Sequence, residues 1–146
     1  MTNKNCFNIA IIGAGKTAGE YLKVLSNFKC FNLNAIFSRS IEKSHKLKNE
    51  YPTLQVFQSI KEMYQKSDID LVIVVVSHES IINVYLEILD YPWKVFFEKP
   101  IGINYLDFKK IANKVKKSKR SVHVAMNRRH YTSTNSLLKF MGFETC

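Results

Sequence analysis

The chain has 146 residues, 46% of them apolar and 23% charged, which are the values of a folded globular domain and exclude a disordered or fibrous one. Its longest apolar run, Leu71 to Val76, is far too short to cross a bilayer, and MTNKNCFN at the start lacks the apolar segment of a secretory signal. The net charge of +10 is lopsided: eleven basic residues face ten acidic ones through Glu98, and eleven face only Asp107 and Glu144 from Lys99 onward.

Phe7 to Ile12 is a short apolar run ending at Gly13, the mark of a buried strand. Ala18, Tyr21, Leu22, Leu25 and Phe28 then recur at helical spacing. Leu33 to Phe37 reads as the second strand and Ile41 to Asn49 as a short polar helix. Leu54 to Phe57 is a weak third strand, and Ile60 to Gln65 one or two helical turns. Leu71 to Val76 (LVIVVV) is the strongest strand, its unbroken Val and Ile content fitting burial on both faces of a parallel sheet. Ile81 to Leu89 reads as helix, Lys94 to Phe97 as strand, Tyr105 to Val115 as helix and Val122 to Met126 as the sixth strand. A last helix spans about Thr134 to Phe140. Strand and helix alternate throughout, which predicts an α/β fold with a doubly wound, mostly parallel sheet.

Much of the late positive charge sits in KKIANKVKKSKR, Lys109 to Arg120. A nucleic-acid partner is one reading of such a patch. The spacing favours a solvated helix face: Phe108, Ile111, Ala112 and Val115 fall on one stripe, and Lys109, Lys110, Asn113, Lys114, Lys116 and Lys117 mostly occupy the remainder. No aromatic residues interleave the lysines to stack on bases. Cys6, Cys30 and Cys146 are odd in number and scattered, which argues against a disulfide framework or a zinc site and for reduced thiols in a cytoplasm. No metal site is expected.

The GAGKT segment, Gly13 to Thr17, first suggests a phosphate-binding P-loop. That loop needs a glycine five residues before Gly15, where this chain has Ala10 inside the first strand, so the reading fails on geometry. Gly13-Ala14-Gly15-Lys16-Thr17-Ala18 instead matches G-x-G-x-x-G/A at a strand-to-helix turn, a dinucleotide fingerprint. Gly13 permits the tight turn, Gly15 lets a pyrophosphate approach, and Ala18 lets the helix pack close to the sheet, with Lys16 and Thr17 as loop residues near the phosphates. The second strand ends in Ser38-Arg39-Ser40 with no acid before Glu42, so Arg39 can pair with a 2′-phosphate while the serines add hydrogen bonds. That favours NADP over NAD, the other reading being a solvated Arg39 and an NAD site built on serine contacts.

After the fifth strand comes Glu98-Lys99-Pro100, and after the sixth Asn127-Arg128-Arg129. With the opening glycines, these motifs resemble the glucose–fructose oxidoreductase/inositol dehydrogenase/MocA family along essentially the whole chain. The resemblance implies NAD(P)-dependent hydride transfer to or from a sugar, cyclitol or sugar-nucleotide hydroxyl or carbonyl. It implies that Lys99 is the catalytic residue at the reacting oxygen, that Glu98 positions Lys99 and the cofactor, and that Pro100 sets the turn that aims them. Val76 and Ser77 would border the nicotinamide ribose, although Val76-Ser77-His78-Glu79 departs from the Thr-Pro frequent in relatives. Asn127, Arg128 and Lys99 would border substrate, Arg128 meeting an anionic or polyhydroxylated one. His78 reads as a loop or capping histidine before a general acid, His123 as structural and His45 as solvated, with His130 open.

The same resemblance implies a dinucleotide domain over 1–127 and, from 128–146, the start of a connection to a substrate domain that this chain lacks. That domain would carry a catalytic histidine and an oligomer interface. Two alternatives stay open: a catalytically silent NAD(P)-binding or sensing module, and nucleic-acid binding through the lysine-rich helix.

Overall fold

The computed structural model describes residues 6–142, so the expectations that fall on Glu144, Cys146 and the rest of the tail lie outside the described residues. Six strands form one parallel sheet: β1 (Phe7–Ile12), β2 (Phe31–Phe37), β3 (Gln55–Phe57), β4 (Leu71–Val74), β5 (Lys94–Phe97) and β6 (Val122–Val124). Their spatial order is β3-β2-β1-β4-β5-β6, the doubly wound arrangement that reverses direction between β1 and β4. The helices are α1 (Lys16–Leu25), α2 (Ile41–Glu50), α3 (Ile60–Lys66), α4 (Ile81–Ile88), α5 (Tyr105–Ser118) and α6 (Thr132–Phe140).

Alternation along the central strands sorts the core into two layers. Ile9 and Ile11 of β1, Leu33 and Ile36 of β2 and Ile73 of β4 bury against Ala18 and Leu22 of α1. Ala10, Ile12, Val72, Val74, Val95 and Phe97 point the other way, against Ile60 and Met63 of α3, Ile81, Tyr85 and Ile88 of α4, and Ile111 of α5. Because both faces of β1 and β4 are covered, their sequences are continuous apolar runs instead of alternating ones. Ile9 to Ile12 are at most 1% exposed.

Element bounds depart from expectation where tertiary contacts decide them. β4 stops at Val74, two residues early, although Val75 N–H still donates to the Ile12 carbonyl at 2.8 Å. β2 starts two residues early because Phe31 pairs with Phe7. α5 continues three residues past Val115 and ends where Lys119 takes the left-handed conformation (φ 53). Its predicted stripe is narrower than supposed: Ile111 is buried and Val115 packs on the core, but Phe108 is 49% exposed. Lys114 also departs from the solvated face, pairing with Asp90 beyond α4 at 2.6 Å. α6 has no buried residue, and Leu137 and Phe140 stand exposed on it.

Candidate functional site

Open parallel sheets leave a crevice at the strand carboxyl ends where the winding reverses. Here that place lies between β1 and β4, and the glycine turn occupies it. Gly13 sits at φ +115, its N–H donating to the Phe37 carbonyl at 2.8 Å, and a Cβ there would overlap the Val75 carbonyl oxygen. Only glycine lets β1 turn so tightly beside β4. Gly15 follows as the residue before α1, and a Cβ on it would meet nothing within 4 Å. The first turn of α1 receives no side-chain cap and holds no acidic residue. Its N–H groups and positive dipole end therefore face open space in front of Gly15, a cradle that suits a pyrophosphate.

A crevice of about 240 Å³ continues from this turn, lined by Gly13 to Gly15, Phe37 to Ser40, Lys43, Val75 to Ser77, Ser80 and Val84. It is smaller than the roughly 300–1,000 Å³ of an enclosing ligand pocket, so a dinucleotide in it would be partly uncovered. The Arg39 guanidinium bridges its mouth, donating from Nη2 to Ser77 Oγ at 3.1 Å. Ser77 Oγ lies 3.3 Å from Ser80 Oγ, which gives Arg39 a supported anchor. The Ser38 hydroxyl closes a local turn, donating to the Ser40 carbonyl at 2.8 Å and accepting from Ser40 N–H at 3.1 Å. Arg39 and Lys43 bring two cations to the crevice, and none of its lining residues is acidic.

The remaining candidates separate. Ala18 is fully buried beneath the turn, so its part is packing. Lys16 is exposed at the first residue of α1. Thr17 faces away from the crevice into a groove of about 600 Å³ between α1 and β5–β6, which also meets Tyr21, Phe96, Glu98, His123 and His130. That groove is larger than the crevice and runs along the α1 side of the sheet to Asn127 and Arg129 past the end of β6, whereas the crevice holds the glycine turn. His123, expected to be structural, is exposed there, its Nε2 3.4 Å from Ser121 Oγ. The β6 edge carries it past the part of the sheet that helices cover. His78 opens a 3-10 turn, His78–Ser80, and is exposed, as is His45 on α2.

At the end of β5, Glu98 N–H donates to the Val74 carbonyl at 3.1 Å and so extends the ladder by one residue. The Lys99-Pro100 peptide bond is cis. Glu98 Oε1 accepts from the Tyr21 hydroxyl at 2.6 Å and Oε2 from Lys99 N–H at 3.0 Å, while the Glu98 carbonyl accepts from the Tyr85 hydroxyl at 2.6 Å. Burial, followed by the hydrogen bond to Glu98 and its charge, holds the Tyr21 hydroxyl well above the ordinary phenol range, so it stays a donor. Burial and the Glu98 charge do the same for Tyr85, which stacks on Phe97 with ring centroids 3.8 Å apart. Lys99 is exposed and shares a cavity with Asn127, Arg128 and Arg129, so three cations meet one opening. Among the described residues, no group of three or more His, Cys, Asp or Glu is placed to hold a metal.

Sequence reasoning missed Lys43, Ser80, Tyr21 and Tyr85 as members of these clusters. Lys43 carried one usable signal, standing four residues after Arg39 in the first turn of a helix that starts at the crevice. The two tyrosines carried none beyond helical spacing, since their partners come from β5.

Comparison with known proteins agrees with this geometry. Residues 7–126 match the GFO/IDH/MocA model, described as an oxidoreductase family with an NAD-binding Rossmann fold. A search of curated proteins finds no match. Among solved structures, a proposed NADPH-dependent oxidoreductase from Desulfitobacterium hafniense superposes with a TM-score of 0.85 at 18% identity, covering 93% of this chain and 39% of that one. The myo-inositol 2-dehydrogenase of Lactobacillus plantarum gives 0.83 at 21% identity, covering 94% and 41%. Biliverdin reductase of Synechocystis sp. PCC 6803, solved with biliverdin and NADP+, gives 0.79 at 18%, covering 93% and 43%. At such identities the likeness is one of fold, and the chain spans about two fifths of the length of these structures. The family match takes in the glycine turn, the Arg39 strand end and the Glu98-Lys99-Pro100 segment together, and the chain belongs to the GFO/IDH/MocA oxidoreductase family as its NAD-binding Rossmann domain.

Proposed function

We propose that this chain is the cofactor half of an NAD(P)-dependent oxidoreductase acting on a hydroxyl or carbonyl carbon of a sugar, cyclitol or sugar nucleotide, with NADP preferred. The observation that carries the proposal is the acid-free crevice at the β1–β4 reversal, where Gly15 leaves a cradle open and Arg39 and Lys43 supply charge. Gly13 shapes the turn, the α1 N–H groups hold phosphate, and Ser38, Arg39, Ser40 and Lys43 take the adenosine ribose and its 2′-phosphate. Val76 and Ser77 border the other ribose. A bound nicotinamide supplies the hydride acceptor or donor.

Lys99 then presents an ammonium to the substrate oxygen, where it stabilises developing alkoxide or passes a proton. Glu98 fixes the backbone that carries it, and Asn127 and Arg128 bind substrate from the neighbouring strand end. The solved structures of similar fold include inositol dehydrogenases and a reductase with NADP+ bound, which supports this reading of substrate and cofactor class. We place the chain in a cytoplasm on the free thiols of Cys6 and Cys30. No helix among the described residues is long and apolar enough to cross a membrane.

Calorimetric titration with NADPH and NADH tests the proposal. Saturable binding of both, tighter for NADPH, is expected, and tighter binding of NADH would overturn the preference. Turnover on a panel of sugars and cyclitols would exclude a silent binding module, whereas tight cofactor binding without turnover by this cofactor half leaves both readings open.

A further inference from the structure

The ammonium of Lys99 has a competitor one residue away. A glutamate carboxylate beside a lysine can fold over and pair with it, which would neutralise the cation and turn it from the cavity it shares with Arg128. Glu98 does not do so. Its Oε1 is held by the Tyr21 hydroxyl at 2.6 Å and its Oε2 lies on Lys99 N–H at 3.0 Å, and among the described residues no ion pair engages Lys99. The backbone of the strand end is held as well, because Tyr85 donates to the Glu98 carbonyl at 2.6 Å from the opposite face of the sheet and Glu98 N–H donates to the Val74 carbonyl. Tyr21 belongs to α1, the helix whose N-terminus opens on the phosphate cradle.

We propose that Tyr21 is a positioning residue for Lys99: its hydroxyl keeps the Glu98 carboxylate turned toward α1 and so leaves the Lys99 ammonium free for substrate. The role rests on the reading of Lys99 given above, and it ties the helix that receives the cofactor to the residue that meets the substrate. Tyr21→Phe removes only the hydroxyl and keeps the ring's edge contact with Phe96, whose centroid is 6.1 Å away.

Competitive labelling of the 146-residue chain with an amine-reactive ester, read lysine by lysine by mass spectrometry, tests it without cofactor or turnover. In Tyr21→Phe, Lys99 should label about two- to fivefold more slowly relative to Lys61 and Lys116, as expected when an exposed amine gains a carboxylate partner. In the double variant Tyr21→Phe/Glu98→Gln the slowing should vanish, because the competing charge is gone. An unchanged Lys99 rate in the single variant, or slowing that persists in the double one, would overturn the proposal. Tyr21→Met replaces the Phe variant should that fail to fold. Since labelling needs no dinucleotide, failure of the cofactor reading would show in the titrations alone.

Discussion

At the scale of single residues, Gly13 and Arg39 decide different things. Gly13 combines φ +115 with a Cβ position already filled by the Val75 carbonyl, so Gly13→Ala must push β4 from β1 or break the turn. A loss of stability of about 1–3 kcal/mol or more is expected in thermal or urea melts, with cofactor binding lost as well. A melt within error of the parent would show that the turn is not as described. On the proposed reading Arg39 acts on affinity instead. Arg39→Ala should weaken NADPH binding by about 10- to 100-fold, the worth of a charge-assisted phosphate contact, and NADH binding by about twofold or less. Equal losses in calorimetry would remove Arg39 from the choice between cofactors. Both residues were legible in the sequence because the chain itself fixes their spacing from a strand end. Ser80 was not, since it reaches the crevice only after the turn before α4 packs beside it, and Lys43 carried only its place four residues after Arg39.

At the scale of elements, apolar runs and period gave the order of strands and helices, and packing set the ends. β5 was read to its limits because its three apolar residues, Val95 to Phe97, stand between Lys94, which opens the strand, and Glu98, which follows it. α5 was read too short, and its stripe too wide, because helical spacing alone cannot say how much of a face the sheet covers. Only Ile111 on this helix is fully buried. Ile111→Ala should therefore cost about 2–5 kcal/mol in urea unfolding, while Phe108→Ala, at a half-exposed site, should cost much less. Equal costs would mean that α5 packs on another face. The Asp90–Lys114 pair lies partly open, so Asp90→Asn should change stability by about 1 kcal/mol or less and leave nothing measurable at high salt.

For the whole molecule, the winding order brings segments distant in sequence to one edge of the sheet. The glycine turn, the Arg39 strand end and Val75 to Ser77 converge on one crevice, and Lys99 and Arg128 line a separate opening that shares Asn127 with the groove along α1. The sequence showed which strand end carried each motif, but not that Glu98 is clamped between α1 and α4, because such contacts exist only once both helices cover the sheet. The excess charge beyond Lys99 spreads over α5 and the Lys99–Arg128 opening, and only the second lies at a strand end where ligands bind. The proposed function requires that NADP bind at the β1–β4 reversal. Its most direct test is amide chemical-shift mapping of the 146-residue chain during titration with NADP+. Saturable shifts are expected at Gly13 to Ala18, Ser38 to Lys43 and Val75 to Ser77, with α5 unmoved. Shifts confined to the lysines of α5, or none with millimolar NADP+, would contradict it.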